Sequence, residues 1–253
     1  MKLDWAGKRV VILGLGKNAR GSGVSAALYF LRHGAKVLVT DLLKAPQLKT
    51  TLKIVQSDYR RLLRSGLKVP AVKYVLGRHR LEDIAGAHLV VQNPDVRFDS
   101  PFLIHAKAHK VPVVSDVSLF FEQCPFPIVG ITGTRGKTTT TLLLGAILKE
   151  MNKATLVGGN LAISPLLALD RLLIRKRAVP IVLELSSWQV ESIAATKRSP
   201  QIAVITNLSP DHLNRYGTMS RYAAAKEKLF RFQKANDFAV VNYDCRETRR
   251  MGA

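Results

Sequence analysis

Short apolar runs alternate along the chain with longer segments in which apolar residues recur every three or four positions. The short runs are typical of buried strands, and the longer segments are typical of helices with one apolar face. In the first half, strands are predicted at 9–14, 36–40, Lys73–Leu76, Leu89–Gln92 and Val113–Val114. Helices are predicted between them at 24–33, 46–65, 101–109 and 116–121. This alternation predicts an α/β, Rossmann-like fold with a parallel sheet.

The second half repeats this alternation. Strands are predicted at 128–131, 154–157, 181–185, Ile202–Ile205 and 238–242, and the clearest helices at 137–151 and 220–233. Pro125 and Pro127 interrupt the pattern between the halves, because proline lacks the backbone donor that regular elements need. We therefore predict two domains, residues 1–124 and residues 125–253, the second built on a mainly parallel sheet.

The strand at 128–131 leads into a glycine-rich loop and then into a helix. Gly133 and Gly136 let backbone N–H groups turn toward an anion, and the helix N-terminus adds the positive end of its dipole. Lys137 supplies a point charge, and the Thr138 hydroxyl can hold Mg²⁺. Although Ile131 stands where a standard P-loop has its first glycine, this order predicts a nucleoside triphosphate site in an ATPase domain of P-loop type. The predicted phosphate-binding residues are Gly133, Thr134, Arg135, Gly136, Lys137, Thr138 and Thr139.

Ionisable residues near strand ends extend the predicted chemistry. Glu184 lies in an otherwise apolar strand, and a buried carboxylate is costly unless it is paired or ligates a metal. It can hold Mg²⁺ beside the phosphate loop or form a salt bridge with a lysine. Asp211 and His212 follow another strand and are candidates for a metal or phosphate contact. Tyr222 and Lys226 are four residues apart, on one face of a predicted helix.

The first strand leads into a second glycine loop at residues 14–16, and Asp41 follows the second strand, where a Rossmann-type unit places its acidic residue. A dinucleotide fingerprint needs a third glycine three residues after Gly16, but the next one is Gly21, which weakens the prediction of an NAD site. A nucleotide-phosphate or sugar-nucleotide site remains open, because the helix N-terminus still points at the loop. Asn93 and Pro94 follow the fourth strand at the same ligand-binding edge.

The net charge of +21 over 253 residues raises the alternative of a nucleic-acid-binding protein. Basic residues outnumber acidic ones by 20 to 9 before Pro125 and by 19 to 9 from it onward, so the excess is spread evenly. Only 171–177 concentrates basic residues, and it lacks the aromatic residues that stack on bases. Most of this charge therefore indicates a solvated surface. A basic P-loop protein that binds nucleic acid stays as the alternative from another class.

The chain has no apolar stretch of membrane-span length, and its start lacks the apolar core of a signal peptide. We therefore expect a monomeric cytoplasmic protein that makes no membrane contact. Cys124 and Cys245 are far apart in the sequence and lack metal-ligand spacing, so free thiols are expected.

Five blocks together resemble the Mur ligase family: GITGTRGKTT at 130–139, GGN at 158–160, ELSSWQVE at 184–191, NLSPDHLNRYG at 207–217 and YAAAK at 222–226. Their order and spacing make the resemblance specific, and it extends more loosely over the first half. It implies an ATP-dependent ligase of peptidoglycan precursor synthesis. The blocks at 184–191 and 207–217 look most like those of members that add D-glutamate to UDP-N-acetylmuramoyl-L-alanine through an acyl phosphate.

The resemblance also implies roles for individual residues. Lys137, Glu184, His212 and Lys226 are expected to be catalytic, with ATP on the phosphate loop. Thr138 and Glu184 are expected to hold one Mg²⁺. His212 and Lys226 are expected to hold a second, for which Lys226 must be carbamylated, since an ammonium cannot ligate a cation. The UDP-bearing substrate is expected at Gly14, Leu15, Gly16, Asp41, Leu42, Asn93 and Asn160.

Three features depart from the family pattern: the extra segment 17–20, Asp95 after Pro94, and Arg135 in the phosphate loop. The first two bear on uridine binding, whereas an extra donor at Arg135 suits a phosphate. The family's C-terminal, amino-acid-binding domain is absent from these residues, so we expect a truncated fragment that is inactive alone. Another Mur-type amino-acid ligase remains an alternative, and the block at 207–217 argues against the related folate polyglutamate ligases.

Overall fold

The computed structural model describes residues 4–151 and 154–251. The chain divides into two compact units, Met1–Leu119 and Phe120–Ala253. The division falls within a helix at Asp116–Gln123, shortly before the boundary that the prolines predict. The outer limits of the predicted domains, residues 1 and 253, lie outside the described residues.

The first unit is built on five strands: β1 (Arg9–Leu13), β2 (Lys36–Asp41), β3 (Lys73–Leu76), β4 (Leu89–Gln92) and β5 (Val113–Val114). They form one parallel sheet in the order β3-β2-β1-β4-β5. Its helices are α1 (Ser22–Arg32), α2 (Lys49–Arg64), α3 (Leu81–Ala85), α4 (Pro101–Ala108) and α5 (Asp116–Gln123), with a 3₁₀ turn at Ala45–Leu48.

β1 lies at the centre of this sheet, and it is apolar on both faces. Val11 and Ile12 have no exposed surface, as expected for a parallel strand covered by helices on both sides. On one face, Val11 packs in a core cluster with Ile84 of α3 and Leu103 of α4. α1 contributes nine consecutive buried residues, 23–31. This burial fixes the position of the loop between β1 and α1.

The second unit has the strands β6 (Ile128–Thr132), β7 (Leu156–Gly159), β8 (Ile181–Glu184), β9 (Ile202–Ile205) and β10 (Phe238–Val241). They form a second parallel sheet, ordered β10-β9-β6-β8-β7. The helices are α6 (Lys137–Glu150), α7 (Leu169–Leu173), α8 (Ser187–Ala195), α9 (Leu213–Tyr216), α10 (Met219–Glu227) and α11 (Arg246–Met251), with a 3₁₀ turn at Pro165–Ala168.

In both units the first strand holds the central position of its sheet. β1 lies between β2 and β4, and β6 lies between β8 and β9. The strand order therefore reverses beside β1 and beside β6, and open α/β sheets bind ligands at the carboxyl ends of strands at such a point. The loops at 14–16 and 133–136 begin at these ends. The topology thus places both predicted glycine loops at the ligand-binding edge of their sheet.

The α/β prediction with parallel sheets is confirmed, and four strands have the predicted bounds. The strand predicted at 154–157 is wrong by two residues, since Leu156 pairs with Ile181 and Gly159 pairs with Glu184. Gly158 and Gly159 pair with Leu183 and Glu184 and so belong to this strand. Both positions need glycine, because a Cβ atom on either would crowd neighbouring backbone. The helix predicted at 220–233 ends early, at Glu227, because the next amides bond to carbonyls three residues back instead of four.

Five helices are missing from the sequence prediction: α3, α7, α8, α9 and α11. None is longer than nine residues, so none repeats its apolar pattern often enough to be recognised. Cys124 and Cys245 are free, as expected. Among the described residues, no helix combines the length and apolar character needed to cross a membrane.

Candidate nucleotide sites

The loop after β6 adopts a shape that requires its glycines. Gly133 has φ +144° and Gly136 has φ +79°, conformations that residues with a Cβ atom rarely adopt. A Cβ atom on Gly133 would overlap the Thr206 hydroxyl. Gly136 is also the N-cap residue of α6 and offers no side-chain cap. The first N–H groups of α6 are therefore left to bind an anion.

The segment after β9 holds this loop in place. The Thr134 amide donates to the Asn207 carbonyl at 2.9 Å, and the Arg135 amide donates to the Asn207 side-chain oxygen at 3.0 Å. The Arg135 carbonyl accepts from the Thr206 hydroxyl at 2.6 Å and from the Asn207 side chain at 3.0 Å. These four bonds fix the loop before any ligand binds. Thr206 was not among the predicted site residues, because nothing but its position after a strand distinguishes it in the sequence.

Glu184 is buried at the end of β8 and has two neutral donors. The residue is only 2% exposed. One carboxylate oxygen accepts from the Thr138 hydroxyl at 2.7 Å, and the other accepts from the Asn160 side chain at 2.8 Å. The structure therefore brings Thr138, Asn160 and Glu184 together. The salt bridge with a lysine, which the sequence left open, is not seen in the described part of the chain.

Two lysines flank this group, in different environments. The Lys137 ammonium donates to the Thr134 carbonyl at 2.8 Å, within its own loop. Lys226 is 2% exposed, and its nitrogen donates to the Thr132 hydroxyl at 3.1 Å and lies 5.0 Å from the Tyr222 ring centre. The pKa of Lys226 is lowered to about 7, mainly by burial and also by the Lys137 charge, against the opposing effect of Asp211 and Glu184. Near neutral pH much of Lys226 is therefore an uncharged amine.

His212 lies in an aromatic cluster beside Lys226. Its ring centre is 5.0 Å from that of Trp188 and 6.0 Å from that of Tyr222, so His212 and Lys226 both approach the Tyr222 ring. His212 has φ +52°, a left-handed conformation uncommon outside glycine. Its side chain remains 41% exposed. No group of three or more His, Cys, Asp or Glu side chains gathers as a metal site within 4–151 and 154–251.

In the first unit the glycine loop is held by a carboxylate. Gly14 and Gly16 have φ +94° and +73°. One Asp41 oxygen accepts from the Gly16 amide at 2.9 Å, and the other accepts from the Leu43 amide at 2.8 Å. The Asn93 side chain donates to the Gly14 carbonyl at 3.3 Å. Four predicted site residues, Gly14, Gly16, Asp41 and Asn93, thus meet here, and hydrogen bonds with the last two fix the conformation of the loop.

A cavity of about 680 Å³ opens beside this loop. Its lining includes the predicted residues Gly14, Gly16, Asp41, Leu42 and Asn93. The Leu15 side chain is buried and does not line the cavity, and Asn160 lies in the second unit against Glu184.

Two aromatic residues that sequence analysis missed also line this cavity, His79 and Phe102, whose ring centres are 5.0 Å apart. His79 bonds the Thr40 hydroxyl at 2.8 Å, and burial lowers its pKa, although Asp41 opposes this effect. Neither residue belongs to a recognisable motif. They meet only because their segments fold over the same end of the sheet.

The glycine that packs α1 against the loop is Gly23, and not Gly21, the next glycine along the chain. A Cβ atom on Gly23 would overlap the carbonyl oxygen of Gly14, whereas one on Gly21 would meet the Asn18 side chain at 3.0 Å. Gly23 therefore has the close-packing role that a third glycine has in dinucleotide-binding loops. The extra segment at 17–20 moves this position along the chain.

Fold and geometry thus define an α/β protein with two nucleotide-type loops, and family models match both parts. Residues 8–115 match the MurD-like N-terminal domain of Mur ligases, and residues 131–252 match the Mur ligase middle domain. The chain therefore belongs to the Mur ligase family, as the sequence blocks predict.

Curated relatives extend the match over nearly the whole chain. The UDP-N-acetylmuramoylalanine–D-glutamate ligase of Roseiflexus sp. (strain RS-1) is 42% identical over 96% of this chain and 48% of its own length. The protein of the same name from Koribacter versatilis (strain Ellin345) is 39% identical over 96% of this chain and 49% of its own length. The chain spans about half the length of these relatives.

Solved structures of Mur-type ligases share the fold. The UDP-N-acetylmuramate:L-alanyl-gamma-D-glutamyl-meso-diaminopimelate ligase from Neisseria meningitides superposes with a TM-score of 0.63 at 18% identity, over 97% of this chain and 74% of that one. The UDP-N-acetylmuramate-alanine ligase from Thermotoga maritima gives 0.52 at 24% identity, over 96% and 51%. At these identities the likeness concerns the fold alone.

Proposed function

We propose that this chain contains the UDP-precursor-binding and ATP-binding parts of a ligase that adds D-glutamate to UDP-N-acetylmuramoyl-L-alanine. The observation that carries the proposal is the buried group of Thr138, Glu184 and Asn160 beside a preformed phosphate loop with Lys137. A buried carboxylate beside such a loop suits transfer of a phosphoryl group. The substrates are proposed from the names of the two curated relatives.

In the proposed reaction, a carboxylate oxygen of the alanyl group attacks the γ-phosphorus of ATP, and ADP leaves. The amine of D-glutamate then attacks the acyl phosphate carbon, inorganic phosphate leaves with the bonding pair, and the amine loses a proton. The loop amides from Gly133 to Thr139 and the Lys137 ammonium bind the phosphates. They stabilise negative charge where it develops, and they need little rearrangement because the loop is already fixed by Thr206 and Asn207.

The residues present fit one Mg²⁺. Thr138 and Glu184 offer hard oxygen atoms at the start of α6, and Mg²⁺ in phosphate-transferring sites takes few protein ligands beside phosphates and water. When bound, the ion neutralises phosphate charge. Glu184 accepts from the Thr138 hydroxyl at 2.7 Å, so the carboxylate is oriented toward the loop. Asn160 keeps the other oxygen in place.

A second Mg²⁺ fits only if Lys226 is carbamylated. CO₂ reacts with an uncharged amine, and burial lowers the Lys226 pKa to about 7, which supplies that form at neutral pH. The product is an anionic oxygen ligand beside Tyr222, whose ring also contacts His212. We propose His212 and carbamylated Lys226 as this second pair of ligands.

The cavity of the first unit suits the uridine end of the precursor. Asp41, Asp95 and Asp99 line it, and its one arginine, Arg97, is paired with Asp99 at 2.8 Å. Such a lining opposes a diphosphate but accepts a base and a ribose. We place the diphosphate instead at the start of α1, where the N-cap residue Gly21 offers no side-chain cap and the helix N-terminus favours an anion.

The proposal is tested by following the unfolding temperature with UDP-N-acetylmuramoyl-L-alanine and with ATP and Mg²⁺, using NAD and a short RNA as controls at fixed salt. A ligand at a hundred times its Kd stabilises a fold by about 2.7 kcal/mol. We expect shifts with the precursor and with ATP but not with NAD. A shift with RNA alone would contradict the ligase proposal and favour nucleic-acid binding.

The amino acid is tested separately, through phosphate release from ATP by the full-length protein, since this chain spans about half the length of its curated relatives. Release that requires both the precursor and D-glutamate is the expected result. Release that is equally fast with another amino acid, such as L-alanine, would contradict the proposed specificity and favour a different Mur-type ligase.

A further inference from the structure

The first unit has a second cavity, of about 810 Å³, lined by Arg9, Lys36, Lys73, Arg80 and Asp83. Arg9, Lys36 and Lys73 are the first residues of β1, β2 and β3. Because these neighbouring strands are parallel, their first residues lie at one edge of the sheet. This edge is opposite to the one that carries the glycine loop, so the cavity is separate from the proposed uridine site.

The charges around this cavity are strongly unbalanced. Four cationic side chains line it, with one carboxylate, Asp83, which is 5% exposed. Arg80 donates to both Asp83 oxygens, at 2.6 and 2.7 Å. Arg9 donates to the Asp83 main-chain carbonyl at 2.9 Å and lies 4.0 Å from the carboxylate. Asp83 thus fixes both guanidinium groups in position. Glu82 adds a second carboxylate 3.6 Å from Arg80, so the excess positive charge of this cavity is that of the two lysines.

Lys36 and Lys73 add two more positive charges, and neither forms a salt bridge with a described residue. A cleft lined by one sign of charge concentrates its field and attracts counter-ions. Guanidinium groups match phosphate oxygens in pairs, and lysines add point charges. The ligand that this lining suits therefore carries at least two negative charges.

The size of the cavity lies in the range of small-molecule sites, about 300–1,000 Å³. Pro70, Ala71 and Val75 add apolar surface for an uncharged part of a ligand. A groove for single-stranded nucleic acid instead needs a series of aromatic side chains, and Tyr74 is the one aromatic residue of this lining. We propose that this cavity binds a small molecule with a diphosphate or triphosphate group, independently of the ligase function.

Inorganic pyrophosphate is the probe, and amide NMR shifts locate its binding, since the phosphate loop can also take it. We expect saturable shifts at the amides of Lys36 and Lys73. Lys36→Gln combined with Lys73→Gln should weaken pyrophosphate binding at this cavity about tenfold, equivalent to about 1.4 kcal/mol. Lys36→Arg combined with Lys73→Arg should retain it, because the charge is kept.

The matched control is Lys49→Gln combined with Lys53→Gln on α2, which removes the same charge from exposed positions of the same unit. It should change the affinity by less than about twofold. Equal weakening by both pairs would overturn the proposal, because the effect would then come from net charge. Absence of saturable shifts at Lys36 and Lys73 would also overturn it. Chemical-shift changes at these amides with a short RNA, but not with pyrophosphate, would overturn the proposal as well.

Discussion

The two glycine loops of this chain lie at equivalent places in similar sheets, yet their surroundings differ. Both follow the central strand of a five-stranded parallel sheet. The loop at 14–16 is held by the Asp41 carboxylate and the Asn93 amide. The loop at 133–136 is held by neutral groups of Thr206 and Asn207, and ionisable residues gather beside it.

Because of this difference, the surroundings of the two loops support different chemistry. The Asp41 carboxylate already accepts two backbone bonds, so it shapes a surface. Beside the second loop, the buried Glu184 carboxylate accepts from side chains, those of Thr138 and Asn160, and Lys226 is buried with a lowered pKa. Buried ionisable groups with perturbed proton affinity are typical of catalytic sites. We therefore propose a binding role for the loop in the first unit and a catalytic role for the loop in the second.

The largest effect should come from Lys137→Ala. It removes the cation that follows the second loop and donates to the Thr134 carbonyl. Loss of one such group at a transferring phosphoryl group costs about a hundredfold or more in rate. ATP-dependent phosphate release by the full-length protein is the measurement, with Lys149→Ala at the exposed end of α6 as the control. Binding of the UDP precursor should stay unchanged. Unaltered phosphate release would mean that the loops do not differ as described.

Gly23→Ala should have the next largest effect, on the first loop. A Cβ atom there would overlap the Gly14 carbonyl, and overpacking of this kind costs about 1–3 kcal/mol. Urea unfolding measures the loss, and a weaker thermal shift with the UDP precursor should accompany it. Gly21→Ala is the matched control, since its Cβ would meet the Asn18 side chain at 3.0 Å and the Asn18 carbonyl oxygen at 3.3 Å without overlapping either. A larger loss for Gly21→Ala would contradict the close-packing role of Gly23.

Lys226→Met should change how stability depends on pH. The Lys226 pKa is lowered from 10.5 to about 7 in the folded state, so between these values the unfolded chain binds more protons. The free energy of unfolding of the wild type should therefore rise with pH in this window, by at most about 1.4 kcal/mol per pH unit. Below pH 7 the cost of the buried charge is fully present. The stability of the variant relative to wild type should thus fall from pH 7 to pH 10.

This comparison is made by urea unfolding in CO₂-free buffer, which prevents carbamylation. Lys149→Met, at an exposed position, should leave the pH dependence unchanged. A stability difference between Lys226→Met and wild type that is constant over this range would contradict the lowered pKa, and with it the contrast in buried charge between the two loops.

Asp41→Asn should have the smallest effect. The amide nitrogen cannot accept, so one of the two backbone bonds to Gly16 or Leu43 is lost, at a cost of about 1 kcal/mol. Affinity for the UDP precursor should fall several-fold by calorimetry, while ATP binding stays the same. Asp95→Asn, whose side chain is exposed, should not weaken binding. Equal losses of both ligands would indicate general destabilisation in place of a local effect.

Much of the fold could be predicted because its signals are local. The strands at Lys73–Leu76 and Ile202–Ile205 are short apolar runs, and the structure has them at the predicted residues. The loop at 133–136 has its glycines and lysine at fixed spacing between a strand and a helix. Short helices such as α8 escaped prediction because nine residues give too few turns for a period to show.

The sequence by itself determined the order of elements, the two glycine loops and the ionisable residues that belong to them, because these depend on neighbours along the chain. Only the tertiary structure decided that Glu184 meets Thr138 and Asn160, that Gly23 packs on Gly14, and that four cations from separate segments surround one cavity. These contacts join residues distant in sequence. The lowered pKa of Lys226 has the same origin, because exclusion of water is a property of the packed chain and not of any one segment.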